Sequence, residues 1–383
     1  MSKNGSLTVS KATTEERVQP ARRSPRLNLG RLLLEGRAFL ALIVVIVVFS
    51  ILSSNYFTVN NMLTMSSHVA VYALLAIGQL LVILNGGIDL SVGSTLGFSG
   101  MVAGFLMQGV TLKMFGDVLY PSVWVVVIAV ILVGAFVGLV NGTLVSRFRV
   151  APFVATLGTL YVVRGFALLM TNGLTYNDLG GRPELGNTGF DWLGFNHIAK
   201  IPIGVIVMIV AAAAVSLMLN RTVFGRWLYA SGGNERAAEL SGVPVRKVKV
   251  WVYVASGVCS ALAGLILTSE LTSAGPTAGT TYELTAIAAV VIGGAALTGG
   301  RGNIRGTLLG AFVIGFLSDG LVIVGVSAYW QTVFMGAVIV AAVLLNAVQY
   351  RGGRKKGRRA EPPAGRATAV PPGPEAATTQ TRG

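Results

Sequence analysis

Cysteine, histidine and charge are all scarce in this 383-residue chain. It has one cysteine, Cys259, and two histidines, His68 and His197. A single thiol excludes an intramolecular disulfide and a cysteine metal cluster. Neither histidine has a cysteine or carboxylate at ligand spacing, so we expect no metal site. Charged residues make up only 12% of the chain and hydrophobic residues 53%, whereas soluble domains are about 25% charged.

Two catalytic motifs are missing as well. No Gly-Lys dipeptide occurs, so the GGRG stretch at 299–302 resembles a phosphate loop only superficially. No G-x-S-x-G nucleophile elbow occurs either. We therefore expect a protein that is not an enzyme and that does not hydrolyse ATP through a site of its own.

Long apolar runs fill the middle of the chain, and many could cross a bilayer hydrocarbon core of about 30 Å. They predict an all-α polytopic membrane protein with about ten transmembrane helices. The predicted spans are 38–54, 65–84, 90–108, 122–145, 153–171, 201–219, 248–269, 284–299, 305–325 and 330–349.

The basic residues flank these spans, which explains the net charge of +15 without a nucleic-acid partner. If the N-terminus is inside, most loop Lys and Arg residues are cytoplasmic, so we predict that both termini are cytoplasmic. We predict three regions: a basic, disordered tail over 1–37, a transmembrane domain over 38–350 with a cytoplasmic loop at 220–248, and a second basic, disordered tail over 351–383.

The stretch NGGIDLSVG at 85–93 interrupts an apolar run. A broken helix in a membrane exposes backbone polar groups, so it must face protein or a wet cavity. A carboxylate near a span is also costly to bury. One interpretation is that Asn85, Asp89 and Ser91 line a substrate path or gate. The alternative is that Asp89 or Ser91 caps the next helix and fixes a tight hairpin.

A second motif, APFVATLG at 151–158, begins the fifth span. Thr156 is a candidate for the same path, as is Asn172 just beyond this span. Small residues such as Thr156 and Gly158 also permit close helix packing. Arg164 lies inside the span, where it could pair with a carboxylate such as Asp89 or Asp319 or approach the outer interface.

The most informative segment is FGRWLYASGGNERAAELSG at 224–242, a polar stretch between two apolar spans. Ser231 or Asn234 can cap a short helix that ends near Gly242, with Pro244 beyond it. A helix of about two turns is marginal by itself. We therefore expect it to pack on another surface, although an ordinary cytoplasmic connector remains the alternative.

Four stretches resemble permease subunits of ABC importers of the ribose-type sugar family, also called the monosaccharide/branched-chain permease family. They occur in that family's order over about 40–350: NGGIDLSVGS, APFVATLGTLYVVRG, FGRWLYASGGNERAAELSGV and AIAAVVIGGAALTGGRGNIRGTLLGA. The resemblance implies a type II importer-like permease fold in a bacterial plasma membrane. The third stretch resembles the EAA-type coupling helix, which docks into a groove of the ATPase. The implied ATPase-coupling residues are Gly232, Asn234, Glu235, Arg236, Ala237, Ala238, Glu239 and Gly242.

The resemblance also implies a function and its partners. The chain would move a monosaccharide such as ribose, xylose or galactose, or a sugar alcohol, into the cell by alternating access. Its partners would be a second permease copy, a cytoplasmic ABC ATPase that binds ATP and Mg²⁺, an extracytoplasmic substrate-binding protein and membrane lipid. The alternative is an ion-coupled secondary transporter of a small polar solute, for which Asp89 and Asp319 are the acidic candidates inside the spans.

Overall fold

The computed structural model describes residues 36–112 and 117–357, so most of both predicted tails lies outside the described residues. The described residues from Ala38 onward form one compact unit. Its helices are α1 (Arg37–Leu52), α2 (Val59–Leu84), α3 (Val92–Met107), α4 (Val123–Ser146), α5 (Pro152–Leu169), α6 (Trp192–Phe195), α7 (Ile203–Arg221), α8 (Val223–Gly233), α9 (Glu235–Leu240), α10 (Val245–Leu271), α11 (Tyr282–Ile292), α12 (Ile304–Ile323) and α13 (Ala328–Gly357).

Two short antiparallel strand pairs lie in the loops, β1 (Val110–Leu112) with β2 (Asp117–Leu119) and β3 (His197–Ile198) with β4 (Ile201–Pro202). A single 3₁₀ turn covers Pro183–Leu185. The four strands and the 3₁₀ turn all lie in connections between helices. The described part of the chain is therefore a helical bundle.

Within the described residues, six helices are long and apolar enough to cross a membrane: α2, α4, α5, α7, α10 and α12. Four shorter apolar helices accompany them, over Ala38–Leu52, Val92–Met107, Tyr282–Ile292 and Ala328–Leu344. Each predicted span overlaps one of these helices. The predicted span 284–299 is too long, because α11 ends at Ile292 and Gly294 turns the chain with a positive φ of 93°.

Helix α2 is the centre of the bundle. Every residue from Val69 to Leu84 except Tyr72 is buried, as expected for a helix that is apolar on all sides and surrounded by others. It packs against α7, α10, α11 and α12. The core therefore surrounds the helix that leads directly into the break at 85–91.

Small residues let α4 and α10 approach closely along their length. A Cβ at Gly138 would overlap the Tyr253 carbonyl oxygen, and one at Gly134 would overlap the Gly257 carbonyl oxygen. Gly142 is spaced four residues further along α4 and faces the Val250 backbone. This spacing is typical of tightly packed membrane helices, and it makes α10 a firm support for the elements attached to its ends.

Candidate coupling site and helix junction

Helices α8 and α9 meet at a single residue, Asn234. Helix α8 begins where the Thr222 Oγ1 accepts a hydrogen bond from Gly225 N at 3.3 Å, and it ends at Gly233. The Asn234 Oδ1 then accepts a hydrogen bond from Ala237 N at 3.0 Å and so caps α9. Of the two predicted capping residues, Asn234 is the one used. Ser231 is buried inside α8 instead.

A Schellman motif closes the other end of α9. Gly242 adopts a positive φ of 84°. Its N–H donates to the Glu239 carbonyl at 3.0 Å, and the Val243 N–H donates to the Ala238 carbonyl at 3.0 Å. These are the two hydrogen bonds that define the motif. Capping at both ends gives this six-residue helix a defined shape that its length alone would not provide.

Most of α9 faces away from the bundle. Ala238 is its one buried residue, whereas Leu240 is 77% exposed. Glu235 accepts a hydrogen bond from the Lys249 ammonium at 2.7 Å, which ties α9 to the first turns of α10. An exposed helix held at one side by such a contact is suited to bind a partner protein.

Three segments that are distant in sequence meet at the end of α8: the end of α2, the last turn of α8 and the loop at 299–302. The Asn85 side-chain amide donates to Ser231 Oγ at 2.9 Å. The Gly300 N–H donates to the Leu84 carbonyl at 2.9 Å. The Tyr229 hydroxyl donates to the Gly302 carbonyl at 2.8 Å. We call these three segments the glycine junction.

Glycine is required at the centre of the glycine junction. A Cβ at Gly232 would overlap the Leu84 carbonyl oxygen and lie 2.8 Å from Gly300 N. Gly299 and Gly300 both have positive φ, at 87° and 71°, which favours glycine. A tyrosine hydroxyl is ordinarily protonated at neutral pH, and burial raises the pKa of Tyr229 further, so this hydroxyl remains a donor.

Beyond the glycine junction, Asp89 is the centre of a buried polar network and is only 2% exposed. Its Oδ1 accepts from Ser91 N at 2.9 Å and Ser91 Oγ at 2.7 Å, and its Oδ2 accepts from Ser256 Oγ at 2.9 Å. Asn141 in turn donates to Ser91 Oγ at 2.8 Å. The carboxylate thus joins the break to α4 and α10, and in this conformation it faces protein donors.

The other predicted path residues lie at two different ends of α5. The Thr156 hydroxyl donates to the Ile88 carbonyl at 3.1 Å, so it lies beside the break with Asp89 and Ser91. Asn172 follows the opposite end of α5, where it is exposed and has a positive φ of 54°. At 1.5 Å per helical residue, about 24 Å separates Thr156 from Asn172 along the helix. The structure therefore groups four of the five residues around the break at 85–91 and leaves Asn172 apart.

Arg164 pairs with neither Asp89 nor Asp319, the two carboxylates offered as examples. The carboxylate whose charge interacts with it is Glu283. The Arg164 guanidinium donates to the Pro276 and Ala278 carbonyls at 2.6 and 2.7 Å. These carbonyls reach it because the loop between α10 and α11 passes directly beside α5. Nothing in the local sequence around Arg164 signals this contact.

Sequence reasoning also missed a polar cluster at the far end of α10. The His68 Nδ1 lies 3.1 Å from the Asp319 Oδ2, and the His68 Nε2 lies 3.6 Å from the Glu270 Oε1. The two carboxylates contact opposite ring nitrogens, so one metal ion could not be shared by all three side chains. No group of three metal-ligating side chains is found among the described residues.

A family model described as "Branched-chain amino acid transport system / permease component" matches residues 61–343, a range that includes the glycine junction and α9. The chain belongs to this permease family. It is 41% identical over 335 residues to the ribose import permease protein RbsC of Haemophilus influenzae, covering 86% of this chain and 97% of the relative. It is 45% identical over 312 residues to RbsC of Bacillus subtilis, covering 80% and 91%.

A second group of relatives is named for another sugar. The chain is 33% identical over 329 residues to the galactose/methyl galactoside import permease protein MglC of Escherichia coli K12, covering 84% of this chain and 96% of the relative. The predicted resemblance to ribose-type permeases is thus confirmed. The family consists of permease components, in agreement with the expectation that the chain is a membrane transporter subunit and not an enzyme.

Proposed function

We propose that this chain is the membrane-spanning subunit of an ATP-binding-cassette importer that moves a monosaccharide into a bacterial cell. The relatives named for ribose and for galactose import support the substrate class. The observation that carries the coupling role is the form of α9, a mostly exposed helix capped at both ends and joined through α8 to the glycine junction.

In this proposal α9 docks into a cytoplasmic ATPase through Asn234, Glu235, Arg236, Ala237 and Glu239, with Gly232, Ala238 and Gly242 shaping the segment. ATP and Mg²⁺ are bound by that partner. ATP binding there moves α9, and α8 transmits the movement to the break at 85–91. The close contact at Gly232 leaves no space to absorb a displacement, which favours transmission over local bending.

The proposed topology has both termini and the 220–248 loop in the cytoplasm. Because Asn85 contacts Ser231, the break and its neighbours Asp89, Ser91 and Thr156 belong to the cytoplasmic end of the path. Two permease copies form this path between them. Asn172 then belongs to the extracytoplasmic end, where a substrate-binding protein delivers the sugar.

The ion-coupled alternative requires a carboxylate that exchanges protons or sodium as the path opens. In this conformation Asp89 is surrounded by serine donors and Asp319 is paired with His68. These contacts favour structural roles for both carboxylates, and the relatives are named as import permeases of ribose and galactose.

Reconstituted uptake tests the proposal. The chain is placed in liposomes with its ATPase, and the binding protein and radiolabelled ribose are added outside. We expect uptake that requires ATP inside, the ATPase and the binding protein. Uptake by the permease alone, driven by a proton or sodium gradient, would contradict the proposal.

A further inference from the structure

Two neighbouring hollows lie along α4 and α5. The first shares Glu235, Arg236 and Glu239 with the proposed docking surface of α9, and the second has no role in the function proposed above. A polar cavity of about 480 Å³ lies beside α9, at the end of α4 and the start of α5. An apolar groove of about 620 Å³ runs between α3, α4 and α5. The two are adjacent in the chain: Leu144 lines the groove and Val145 the cavity, while Pro152 lines the cavity and Val154 the groove.

The polar cavity carries an excess of positive charge. Glu235 is already paired with Lys249 at 2.7 Å. The remaining charged lining residues are Arg149, Arg236, Arg246 and Glu239. No ion pair involves these three arginines within the described part of the chain. The cavity thus presents three guanidinium groups against one free carboxylate, and guanidinium groups bind phosphate well.

The groove is shaped for a hydrocarbon chain. Its walls include Phe136, Val140, Val162 and Phe166. Its polar side chain, Thr159, donates to the Ala155 carbonyl at 3.1 Å and so is already satisfied within α5. From Val154 to Phe166 the groove follows α5 for about 18 Å. This length is close to the depth of one leaflet's hydrocarbon, about 15 Å.

We propose that these two hollows form one binding site for an anionic phospholipid of the cytoplasmic leaflet. The phosphate lies in the polar cavity and one acyl chain lies in the groove. The assignment rests on the topology proposed above, which puts α9 on the cytoplasmic side, where anionic lipids attract basic pockets between membrane helices. A free anion would use only the cavity, whereas an apolar partner helix would use only the groove.

Such a lipid would also affect coupling. Its headgroup contacts residues of α9, the start of α10 and the loop between α4 and α5 at the same time. It would therefore hold α9 in a fixed position relative to α10, adding to the Lys249–Glu235 contact. Transport rates are then expected to depend on the anionic lipid content of the membrane.

Native mass spectrometry of the delipidated full chain tests the headgroup half of the site. Phosphatidylglycerol is expected to bind at least tenfold more tightly than phosphatidylcholine. The double change Arg149→Gln with Arg246→Gln is expected to remove this preference. Arg226→Gln is the matched control, because Arg226 is exposed on α8 and does not line the cavity. Equal binding of the two lipids by the unaltered chain would overturn the proposal.

A second pair of variants tests the groove. A side chain at Gly158 would meet open space inside the groove, so Gly158→Leu is expected to fill it without disturbing the backbone and to weaken phosphatidylglycerol binding severalfold. Gly165→Leu is the control, because that position is equally open but does not line the groove. Unchanged lipid binding in Gly158→Leu would overturn the proposal.

Two other outcomes would identify a different occupant. Binding of millimolar inorganic phosphate with no binding of phosphatidylglycerol would indicate a simple anion site. Loss of a dimer in Gly158→Leu, with no change in lipid binding, would indicate that a second copy fills the groove. Both would overturn the lipid assignment. The two lipid-binding experiments need no sugar, ATP or ATPase. A negative result in them is therefore distinguishable from a negative result in the uptake test of the importer function.

Discussion

At the scale of single residues, two neighbouring glycines in α8 have different surroundings. A Cβ at Gly232 would overlap the end of α2, whereas a Cβ at Gly233 would meet no atom within 4 Å. Substituting each of these two glycines in turn therefore distinguishes two effects: the close contact that the glycine junction requires, and the general cost of glycine in a helix.

We predict that Gly232→Ala loses roughly 1–3 kcal/mol of stability through overpacking and also loses most ATP-dependent uptake. Gly233→Ala should be neutral or slightly stabilising, because alanine favours a helix by about 0.5–1 kcal/mol. Thermal unfolding in detergent and uptake in liposomes measure the two effects. Equal behaviour of both variants would show that the junction does not need its close contact.

Asp89 offers a second test at this scale. Asp89→Ala leaves three buried donors without their acceptor and should cost more than about 3 kcal/mol, at roughly 1–3 kcal/mol per donor. Ser256→Ala removes one hydrogen bond to a buried carboxylate oxygen and should cost about 1.5–3 kcal/mol. Glu184→Ala, at an exposed loop position, is the control. The unfolding midpoint in detergent gives the ranking, and an Asp89→Ala variant as stable as the control would contradict the structural role of the network.

At the scale of elements, α9 depends on its two caps more than on its own six residues. Asn234→Ala removes the N-cap at a cost of about 1 kcal/mol. Gly242→Ala places a side chain at a φ of 84° and costs a similar amount. Because the isolated helix is marginal, either loss should unfold it while the spans remain inserted.

We therefore predict that Asn234→Ala and Gly242→Ala weaken co-purification of the ATPase about fivefold or more. Asn234→Asp is the matched control, since its carboxylate can still accept the Ala237 N–H bond. A protease-protection assay measures membrane insertion, which should be the same in all three variants. If the alanine variants retained the ATPase as well as Asn234→Asp does, α9 would not be the docking element.

At the scale of the whole molecule, local sequence pattern predicted the helices and the capped segment well. Apolar run length located a helix at each predicted span, and among the described residues six of these helices are long and apolar enough to cross a membrane. Asn234, one of two capping candidates, and Gly242 mark the limits of α9. The glycine junction could not be predicted, because Asn85 and Ser231 are 146 residues apart. Hydrophobic periodicity indicates local secondary structure and gives no information about such a distant contact. The His68–Asp319 pair was missed for the same reason, at a separation of 251 residues.

The central claim is that α9 is the surface through which an ATPase drives this permease. The single cysteine, Cys259, is buried. Cys259→Ala removes this thiol, so a cysteine introduced elsewhere is the reactive one in a cross-linking experiment. Glu239→Cys on α9 is expected to cross-link to the ATPase with an efficiency that changes when ATP is added. Glu184→Cys, in the loop between α5 and α6, should give no such product. Equal cross-linking from both positions, or none from Glu239→Cys in an active transporter, would contradict the account.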